Sequence, residues 1–341
     1  MAPFVSVIIP TYNSERTLRL CLEAVLDQTR PPDEVLVVDD GSRDRTLQIA
    51  AEFVVRADQR HCSVRLLPAP VNQGPAAARN RGIRASRGEV LFFVDSDCAP
   101  EPDAIEKALA ILRDAPDVAC VHGIYRVEPL IDDGPVEAYR LLHAHHWRLR
   151  HAGRVRTAIF ALCAIRRAVF EEVGLFDENL RASEDVELSD RMADRFGIVL
   201  SPAVTCRHDD DSELGPLLRK QFARSQLLVP VAVHERGPAG IRANRPLGVL
   251  AAGLTVALLP AAFLSPVLII LPVMGLVMFA AADPSLARFV VRQRGPAFLI
   301  FFLAVHFLVH LAVVAGALVG ALRWLVDRDF GPSHRHGEVL P

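Results

Sequence analysis

The sequence has very little lysine, no paired cysteines and no large excess of either charge. Lys107 and Lys220 are the only lysines among 38 basic residues. The six cysteines are scattered without a Cys-x-x-Cys pair, which disfavours a zinc site or a disulfide framework and fits reduced thiols in a cytosol-facing domain. Residues 241–341 hold eight arginines and four acidic residues, whereas the preceding residues hold 30 basic and 36 acidic ones. An acidic body with a basic, apolar tail disfavours nucleic acid as a partner.

Charge is absent altogether from two long runs near the C-terminus. Residues 247–282 contain no charged side chain over 36 positions, and residues 297–322 contain none over 26, where only His306 and His310 are strongly polar. A bilayer core of roughly 30 Å needs about 20 helical residues, so the first run is too long for one span, and Ser265-Pro266 breaks it. We predict three transmembrane helices at 247–264, 266–282 and 297–322. Buried core helices of a soluble protein are the alternative.

Arginines flank the first apolar run on both sides, which predicts that both flanks are cytoplasmic under the positive-inside rule. They are Arg236, Arg242 and Arg245 before the run, and Arg288, Arg292 and Arg294 after it. The third span then leaves the tail, residues 323–341, on the other side. His306 and His310 lie four residues apart on one helix face; they form either a polar site or a pair packed against a neighbouring helix.

Upstream, short apolar runs alternate with helical patterns. Residues 5–10, 34–40, 63–69 and 89–95 read as strands, and residues 14–28 read as an amphipathic helix with Ser14 as its N-cap. This alternation predicts an α/β fold with a mostly parallel sheet covered by helices. Ligands bind beyond the carboxyl ends of such strands, where Asp39, Asp40, Asp95 and Asp97 lie.

Asp95 and Asp97 are separated by one residue at a strand end, so in an extended segment their carboxylates point the same way. Two such carboxylates repel each other unless a cation lies beside them, and Mg²⁺ or Mn²⁺ prefer oxygen ligands. A turn and an N-cap leading into the helix from Pro102 are the alternative explanation of the same residues.

Four segments in order, "VSVIIPTYN", "VVDDGSRDRT", "NQGPAAARNRGIRASRGEVLFFVDSD" and "FDENLRASEDVELSDRM", resemble family 2 glycosyltransferases, which have the GT-A fold. The resemblance covers about residues 4–225. It implies a divalent cation, Mn²⁺ or Mg²⁺, and a nucleotide-diphosphate sugar, with the uridine forms most common. The residues it implies for the metal are Asp95 and Asp97; those for the nucleotide sugar are Pro10, Thr11, Tyr12, Asn13, Asp39, Asp40, Asn72, Gly74, Arg79, Asp95 and Ser96. The segment around Arg79 can also be explained as an ordinary helix without a binding role.

Glu184 and Asp185 form a second acidic pair, directly after Ser183. By propensity alone they are solvated acids in the first turn of a helix that Ser183 caps. The resemblance implies instead that this pair is catalytic and that Asp185 is the base. In an inverting transfer such a base takes the proton of the acceptor hydroxyl as its oxygen attacks the anomeric carbon.

Histidines occur at two further places of interest. The resemblance places His208 near the diphosphate, as a third metal ligand or as an ordinary loop histidine. A second group, His143, His145, His146 and His151, resembles a metal site in composition but is better explained as one face of an amphipathic helix.

Residues 217–228 have basic and apolar faces typical of an interfacial helix at an anionic leaflet. Within them, Gln221 and Arg224 resemble a Gln-x-x-Arg-Trp motif of processive family members, where they contact the acceptor or diphosphate. Ser225 stands in place of the tryptophan, which disfavours a polymer synthase.

The expected organisation is a cytoplasmic catalytic domain (1–212), an interfacial linker (213–246), about three spans (247–322) and a tail, in the cell membrane. The expected activity is inverting sugar transfer from a nucleotide-diphosphate sugar to a hydroxyl of a lipid-linked acceptor. The alternatives are a polyprenyl-phosphate glycosyltransferase and a non-catalytic nucleotide-binding partner in a membrane glycan complex.

Overall fold

The computed structural model describes residues 2–57, 62–180, 183–228, 245–328 and 330. These residues divide into two compact units. The first comprises 2–132 and 147–209, and the second comprises 133–146 together with the described residues from 210 onward.

The first unit is built on one sheet of nine strands in the described residues. The strands are β1 (Val5–Thr11), β2 (Glu34–Asp39), β3 (Ser63–Pro68), β4 (Val90–Val94), β5 (Cys98–Pro100), β6 (Val118–Tyr125), β7 (Gly153–Val155), β8 (Leu162–Arg166) and β9 (Gly197–His208). Their order is β3-β2-β1-β4-β8-β6-β9-β5, and β7 pairs with β9. The β3-β2-β1-β4 part is parallel, as the alternating pattern predicts. Beyond β4 the sheet is mixed, because β8 runs antiparallel to both of its neighbours.

Helices cover this sheet and explain the apolar periodicity of the sequence. They are α1 (Leu18–Leu26), α2 (Thr46–Ala57), α3 (Pro75–Ala85), α4 (Ala104–Asp114), α5 (Pro135–Arg150), α6 (Arg167–Val173) and α7 (Glu184–Met192); α5 begins in the second unit and ends in the first. The α1 helix buries Leu18, Leu22 and Val25, but it begins at Leu18 instead of following Ser14. The Ser14 carbonyl accepts from the backbone N–H groups of Thr17 and Leu18, so the preceding residues form a turn.

The second unit is helical in its described residues. Its further helices are α8 (Leu214–Ser225), α9 (Pro246–Leu258), α10 (Ala261–Leu264), a 3₁₀ turn (Pro266–Ile269), α11 (Ile270–Ala281) and α12 (Pro284–Val326). Ser265 is extended between α10 and the 3₁₀ turn. A side chain added at Gly275 would collide with Thr255, so α11 and α9 pack closely and form a helical hairpin. Two stretches, Pro246–Leu264 and Pro284–Val326, are long and apolar enough to cross a membrane, and Pro266–Ala281 is apolar but shorter.

The α12 helix is interrupted at Gly295, whose φ of 83° is followed by Pro296. Before this break the segment buries Leu286 and Val290 and exposes Arg288 and Arg292. After the break the helix continues through the apolar run of residues 297–322. The break therefore separates a short amphipathic segment from a long apolar one.

The α8 helix packs along the C-terminal part of α12. Side chains added at Gly316 or Gly320 would collide with the α8 backbone at Phe222 and with the Gln226 carbonyl just beyond the helix. Arg323 donates to Gln226 Oε1 at 2.8 Å beside this contact. Two glycines four residues apart let two helix backbones approach closely. One face of α8 is therefore covered by α12, while Arg219, Lys220 and Arg224 are exposed.

Candidate active site

The carboxyl ends of β1, β2 and β4 lie side by side and carry most of the predicted ligand-binding residues. Thr11 is the register partner of Asp39, and β4 leads directly into Asp95. Pro10 and Thr11 are buried in β1, whereas Tyr12, directly after it, is 46% exposed. Parallel strands end at one edge of a sheet, so residues distant in sequence meet there.

Asp39 has one carboxylate oxygen engaged and one available. Its Oδ2 accepts from the backbone N–H groups of Gly41 and Ser42, each at 3.1 Å. Its Oδ1 and the hydroxyl of Thr11 are both buried with no partner among the described residues. A buried oxygen without a donor is costly, so these two atoms are suited to a bound polar ligand.

Asp40, unlike Asp39, has both carboxylate oxygens engaged in hydrogen bonds. Its carboxylate accepts from the backbone N–H groups of Gln73 and Gly74 at 2.7 to 3.0 Å. Gly74 has a φ of 98° and precedes α3, so the loop that holds Asn72 is fixed by this carboxylate. Asn13, after β1, is bonded to the loop that follows β2. Its N–H donates to Ser42 Oγ and its Oδ1 accepts from Arg43 N, both at 2.9 Å.

Arg79 lies between two carboxylates. The side chain is 5% exposed, and its terminal nitrogens donate to Glu184 Oε1 at 2.6 Å and to Asp95 Oδ1 at 2.9 Å. Burial opposes the charge, but both carboxylates outweigh it and raise the pKa of Arg79. The resemblance implies nucleotide binding for this residue. In this structure the two terminal nitrogens of Arg79 join the two acidic pairs, and nucleotide binding by Arg79 stays a prediction.

Asp95 and Asp97 have different surroundings. Burial raises the pKa of Asp95, Arg79 opposes this and Asp97 adds to it. For Asp97 burial also raises the pKa, but the neighbouring His208 outweighs burial and lowers it. The Asp97 side chain is 45% exposed, so it is the more accessible carboxylate. Ser96, between them, shares a hydrogen bond with Ser14 at 2.8 Å.

His208 lies beside Asp97, with 3.7 Å between Nε2 and Oδ2. The β5–β9 pairing places His208 opposite Cys98 and so brings residues from distant segments together. Asp97, Cys98 and His208 are the one group of described residues with metal-ligand spacing. Burial raises the pKa of the Cys98 thiol well above its usual value. Thiolates suit softer metals than Mn²⁺, whereas Asp97 and His208 offer an oxygen and a nitrogen. A carboxylate oxygen and an imidazole nitrogen fit Mn²⁺.

The ring of His208 stacks on Tyr125, with 4.1 Å between centroids and 3° between planes. The guanidinium carbon of Arg148 lies 3.7 Å from the same Tyr125 centroid. Two planar groups this near the centroid cannot share one face, so Tyr125 is held between them. No local sequence signal marks Tyr125 or Arg148, because their partners come from other elements.

Asp185 is half-buried in the first turn of α7, and its carboxylate stands next to Glu184. Burial, with the charge of Glu184 added, raises the pKa of Asp185 to about 6. Ser183 occupies the N-cap position, but it has a φ of 65° and its side chain makes no capping hydrogen bond. The capping interaction expected of Ser183 is therefore wrong. Ser189, one turn further along α7, donates to the Asp185 carbonyl and accepts from Ala158 N, which connects α7 to the segment before β8.

The remaining predicted residues lie elsewhere. Gln221 and Arg224 are on α8 in the second unit, and their acceptor or diphosphate contact stays a prediction. His143 and His145 pack against aromatic rings of α12, with centroid distances of 5.1 Å to His306 and 5.7 Å to Phe289. His146 also packs against Phe289, with 5.3 Å between ring centroids.

Comparison with known proteins identifies this arrangement. The profile described as "Glycosyl transferase family 2" matches residues 6–174. "Glycosyltransferase AglE" of Haloferax volcanii is 34% identical over 224 residues, which cover 64% of this chain and 71% of AglE. "Pre-mycofactocin glycosyltransferase" of Mycobacterium tuberculosis is 29% identical over 67% of this chain, but the match spans only 48% of that protein.

A solved structure shares the fold. It is "Mannosyltransferase PcManGT from Pyrobaculum calidifontis in complex with GDP-Man and Mn2+", with a TM-score of 0.57 at 20% identity over 96% of this chain and 89% of that one. The 20% identity to the mannosyltransferase supports only a shared fold. The 34% identity to AglE, over 71% of that protein, supports membership of the family. The chain therefore belongs to glycosyl transferase family 2 and is a glycosyltransferase with the GT-A fold.

Proposed function

We propose that this chain is a membrane-anchored, inverting glycosyltransferase. It takes the sugar from a nucleotide-diphosphate donor, with uridine forms favoured, and transfers it to a hydroxyl of a lipid-linked acceptor. The observation that carries the proposal is Asp185, a half-buried carboxylate with a pKa of about 6 that lies next to the Arg79–Glu184 pair. A base with a pKa just below neutral is ionised at neutral pH and still accepts a proton from an attacking hydroxyl.

The residues at the sheet edge account for donor binding. The available oxygens of Asp39 and Thr11 accept hydrogen bonds from the nucleoside, and Asp40 fixes the loop of Asn72 that closes beside it. Asp97 and His208 hold a divalent cation, with Asp95 beside them; the Mn²⁺ of the mannosyltransferase complex supports this choice of ion. When bound, such a cation neutralises charge on the departing diphosphate.

The C-terminal helices account for the membrane anchor. Residues 1–212 are proposed to be cytoplasmic, 213–246 interfacial and 247–322 to cross the membrane three times. The two long apolar helices and the arginines at the ends of the hairpin support this arrangement. A phosphatase reporter fused after Pro341 is expected to be active outside the cytoplasm. A fusion that is produced but stays inactive would place the tail in the cytoplasm and require an even number of spans.

The experiment that tests the activity is release of nucleoside diphosphate by the full chain in detergent. Mn²⁺ and a panel of uridine, guanosine and deoxythymidine diphosphate sugars are supplied, with and without a membrane lipid extract. Lipid-stimulated release from one donor supports the proposal and identifies the nucleotide. Binding of a nucleotide with no release under either condition would contradict it and favour the non-catalytic role.

Asp185→Asn separates hydroxyl transfer from transfer to a polyprenyl phosphate. A hydroxyl acceptor needs the base, so this variant is expected to lose transfer and keep nucleotide binding. A phosphate acceptor is already anionic, so substantial residual activity would favour the polyprenyl-phosphate enzyme. Asp190→Asn, an exposed position on the same helix, is the matched control.

A further inference from the structure

A thiol lies beside the two cation donors of the candidate active site. Cys98 Sγ is 3.6 Å from Asp97 Oδ1, and the ligand atoms of Asp97, Cys98 and His208 all lie within 4.8 Å of one another. Zn–S bonds are about 2.3 Å long and Zn–N bonds about 2.0 to 2.1 Å, so atoms this near to one another can meet at one ion after a small rotation of their side chains. The proposed Mn²⁺ site therefore has a sulfur atom in its wall.

The backbone brings these three side chains together. Cys98 is the register partner of His208 in the antiparallel β5–β9 pair, and directly opposite residues of such a pair point to the same face. On either side, the Asp97 carbonyl accepts from Asp209 N at 3.0 Å and the Cys98 N–H donates to the Asp95 carbonyl at 2.9 Å. A site on paired strands is held more precisely than one on loops, so the ligands are positioned by the sheet.

The three ligands differ in their access to solvent. The Asp97 side chain is 45% exposed and that of His208 13%, whereas Cys98 is fully buried. The stacked ring of Tyr125, 4.1 Å from that of His208 between centroids, supports the imidazole from one face. A cation therefore reaches Asp97 first and meets the thiol at the back of the site.

The chemical softness of the ligands separates one cation from another. A carboxylate and an imidazole accept both Mn²⁺ and Zn²⁺, whereas a thiolate favours Zn²⁺. Aspartate, cysteine and histidine are all ligands of zinc, and three protein ligands with one open position are typical of an accessible zinc ion. The absence of a Cys-x-x-Cys pair disfavours a zinc site built from neighbouring cysteines, but here a single thiol meets a histidine of a distant strand.

We propose that Cys98 makes this site selective for Zn²⁺ over Mn²⁺, so that zinc displaces manganese and inhibits transfer. As zinc binds, the Cys98 thiol releases its proton to solvent, and its sulfur coordinates the ion together with Asp97 and His208. Four-coordinate zinc then has one open position, whereas octahedral Mn²⁺ keeps several for the oxygens of the donor diphosphate. The inference deepens the proposed function and rests on its cation site.

Metal titration of the full chain in detergent tests the proposal. Bound Mn²⁺ is followed by electron paramagnetic resonance while Zn²⁺ is added, and the competition gives the affinity for Zn²⁺. Cys98→Ser is expected to weaken Zn²⁺ binding about 100-fold and to change Mn²⁺ binding less than about threefold, since a neutral hydroxyl is a poor zinc ligand. Retained Mn²⁺ binding also shows that the variant is folded. Equal Zn²⁺ affinity of Cys98→Ser and the wild type would overturn the inference.

Cys62→Ser is the matched control for the loss of a buried thiol. Cys62 lies directly before β3 and outside the metal-ligand group, so this variant should bind Zn²⁺ and Mn²⁺ as the wild type does. A loss of Zn²⁺ affinity in Cys62→Ser as large as that in Cys98→Ser would contradict the assignment of Cys98.

Co²⁺ reports the sulfur ligand directly, because it accepts the same ligands as Zn²⁺ and absorbs light. The wild type is expected to show a sulfur-to-cobalt charge-transfer band in the near ultraviolet, which Zn²⁺ abolishes and Cys98→Ser lacks. A wild-type cobalt complex without this band would overturn the inference. Nucleoside diphosphate release by the wild type with Mn²⁺ reports separately on the proposed function: release without the band removes only the zinc selectivity, and the band without release removes only the activity.

Discussion

The guanidinium of Arg79 donates to Glu184 at 2.6 Å and so joins α3 to α7 across 105 positions of the sequence. Glu184 is 8% exposed and Arg79 5%. A charge pair this deeply buried stabilises the fold only while both members are present, because either one alone is left desolvated. The first turn of α7, which carries Asp185, is therefore held in place by a residue of the segment that precedes β4.

Arg79→Met is expected to reduce the free energy of unfolding by about 3 kcal/mol or more, since it leaves the Glu184 carboxylate buried without its partner. The measurement is thermal unfolding of the purified protein. Arg84→Met is the control: Arg84 pairs with Glu178, both side chains are largely exposed, and a change of less than about 1 kcal/mol is expected. Equal stability of the two variants would contradict the structural role of Arg79.

The pH dependence of transfer should follow Asp185. Asp185, the proposed base, has a pKa of about 6 and is therefore charged above this pH and neutral below it, so the rate is expected to fall as the pH drops through 6. Folding favours the protonated form of this group, because its folded pKa lies above the ordinary value of 3.8. Its contribution to stability therefore declines as the pH rises from about 4 to 6. A transfer rate independent of pH from 5 to 8, with donor binding constant, would rule out this base.

Replacing Asp97 tests the cation site. Asp97→Asn removes the accessible carboxylate beside His208, and loss of Mn²⁺ binding is expected in a titration followed by electron paramagnetic resonance. Asp103→Asn, at an exposed ion pair with Lys107, is the control and should bind Mn²⁺ as the wild type does. Unchanged Mn²⁺ affinity in Asp97→Asn would exclude this residue as a ligand.

Tyr125 should influence Mn²⁺ affinity through the ring of His208. Tyr125→Leu removes the stacked ring, and about a 10-fold loss of Mn²⁺ affinity is expected. Tyr125→Phe keeps the ring and should bind nearly as the wild type does. If the Tyr125→Leu and Tyr125→Phe variants have the same Mn²⁺ affinity, stacking does not position His208.

Because α8 packs closely on α12, a side chain added between the two helices should destabilise the protein. Gly320→Ala would collide with the Gln226 carbonyl, and a loss of about 1 to 3 kcal/mol in stability is expected. Gly253→Ala is a matched control, because a side chain there meets only Val314 at 3.5 Å. Similar melting temperatures for the two variants would mean that α8 and α12 do not pack in this way.

The strands of the first unit could be predicted well because their signals are local. Residues 5–10, 34–40 and 63–69 are short apolar runs, and the structure has strands there to within one residue at each end. Helix starts were harder: α1 begins four residues after Ser14, because a turn competes with the cap. The mixed part of the sheet beyond β4 was not predicted, since strand direction depends on partners far away in the sequence.

In the site, too, local features could be predicted and features that depend on distant partners could not. That acids lie at strand ends could be read from the sequence, but the use of each acid could not. Asp39 and Asp40 are neighbours with similar chemistry, yet the first keeps an oxygen available and the second is taken up by two backbone N–H groups of another loop. Tyr125 and Arg148 had no motif to mark them.

The sequence by itself determined what depends on neighbours along the chain: the first three strands and β4, the carboxylates at the ends of β2 and β4, and the apolar runs of the C-terminal helices. The tertiary structure alone decided which charges meet. Arg79 with Glu184, His208 with Asp97 and Arg245 with Asp283 are each paired by residues far apart in sequence. Periodicity records which face of an element is buried, whereas a pKa or an ion pair depends on what the fold brings against that face.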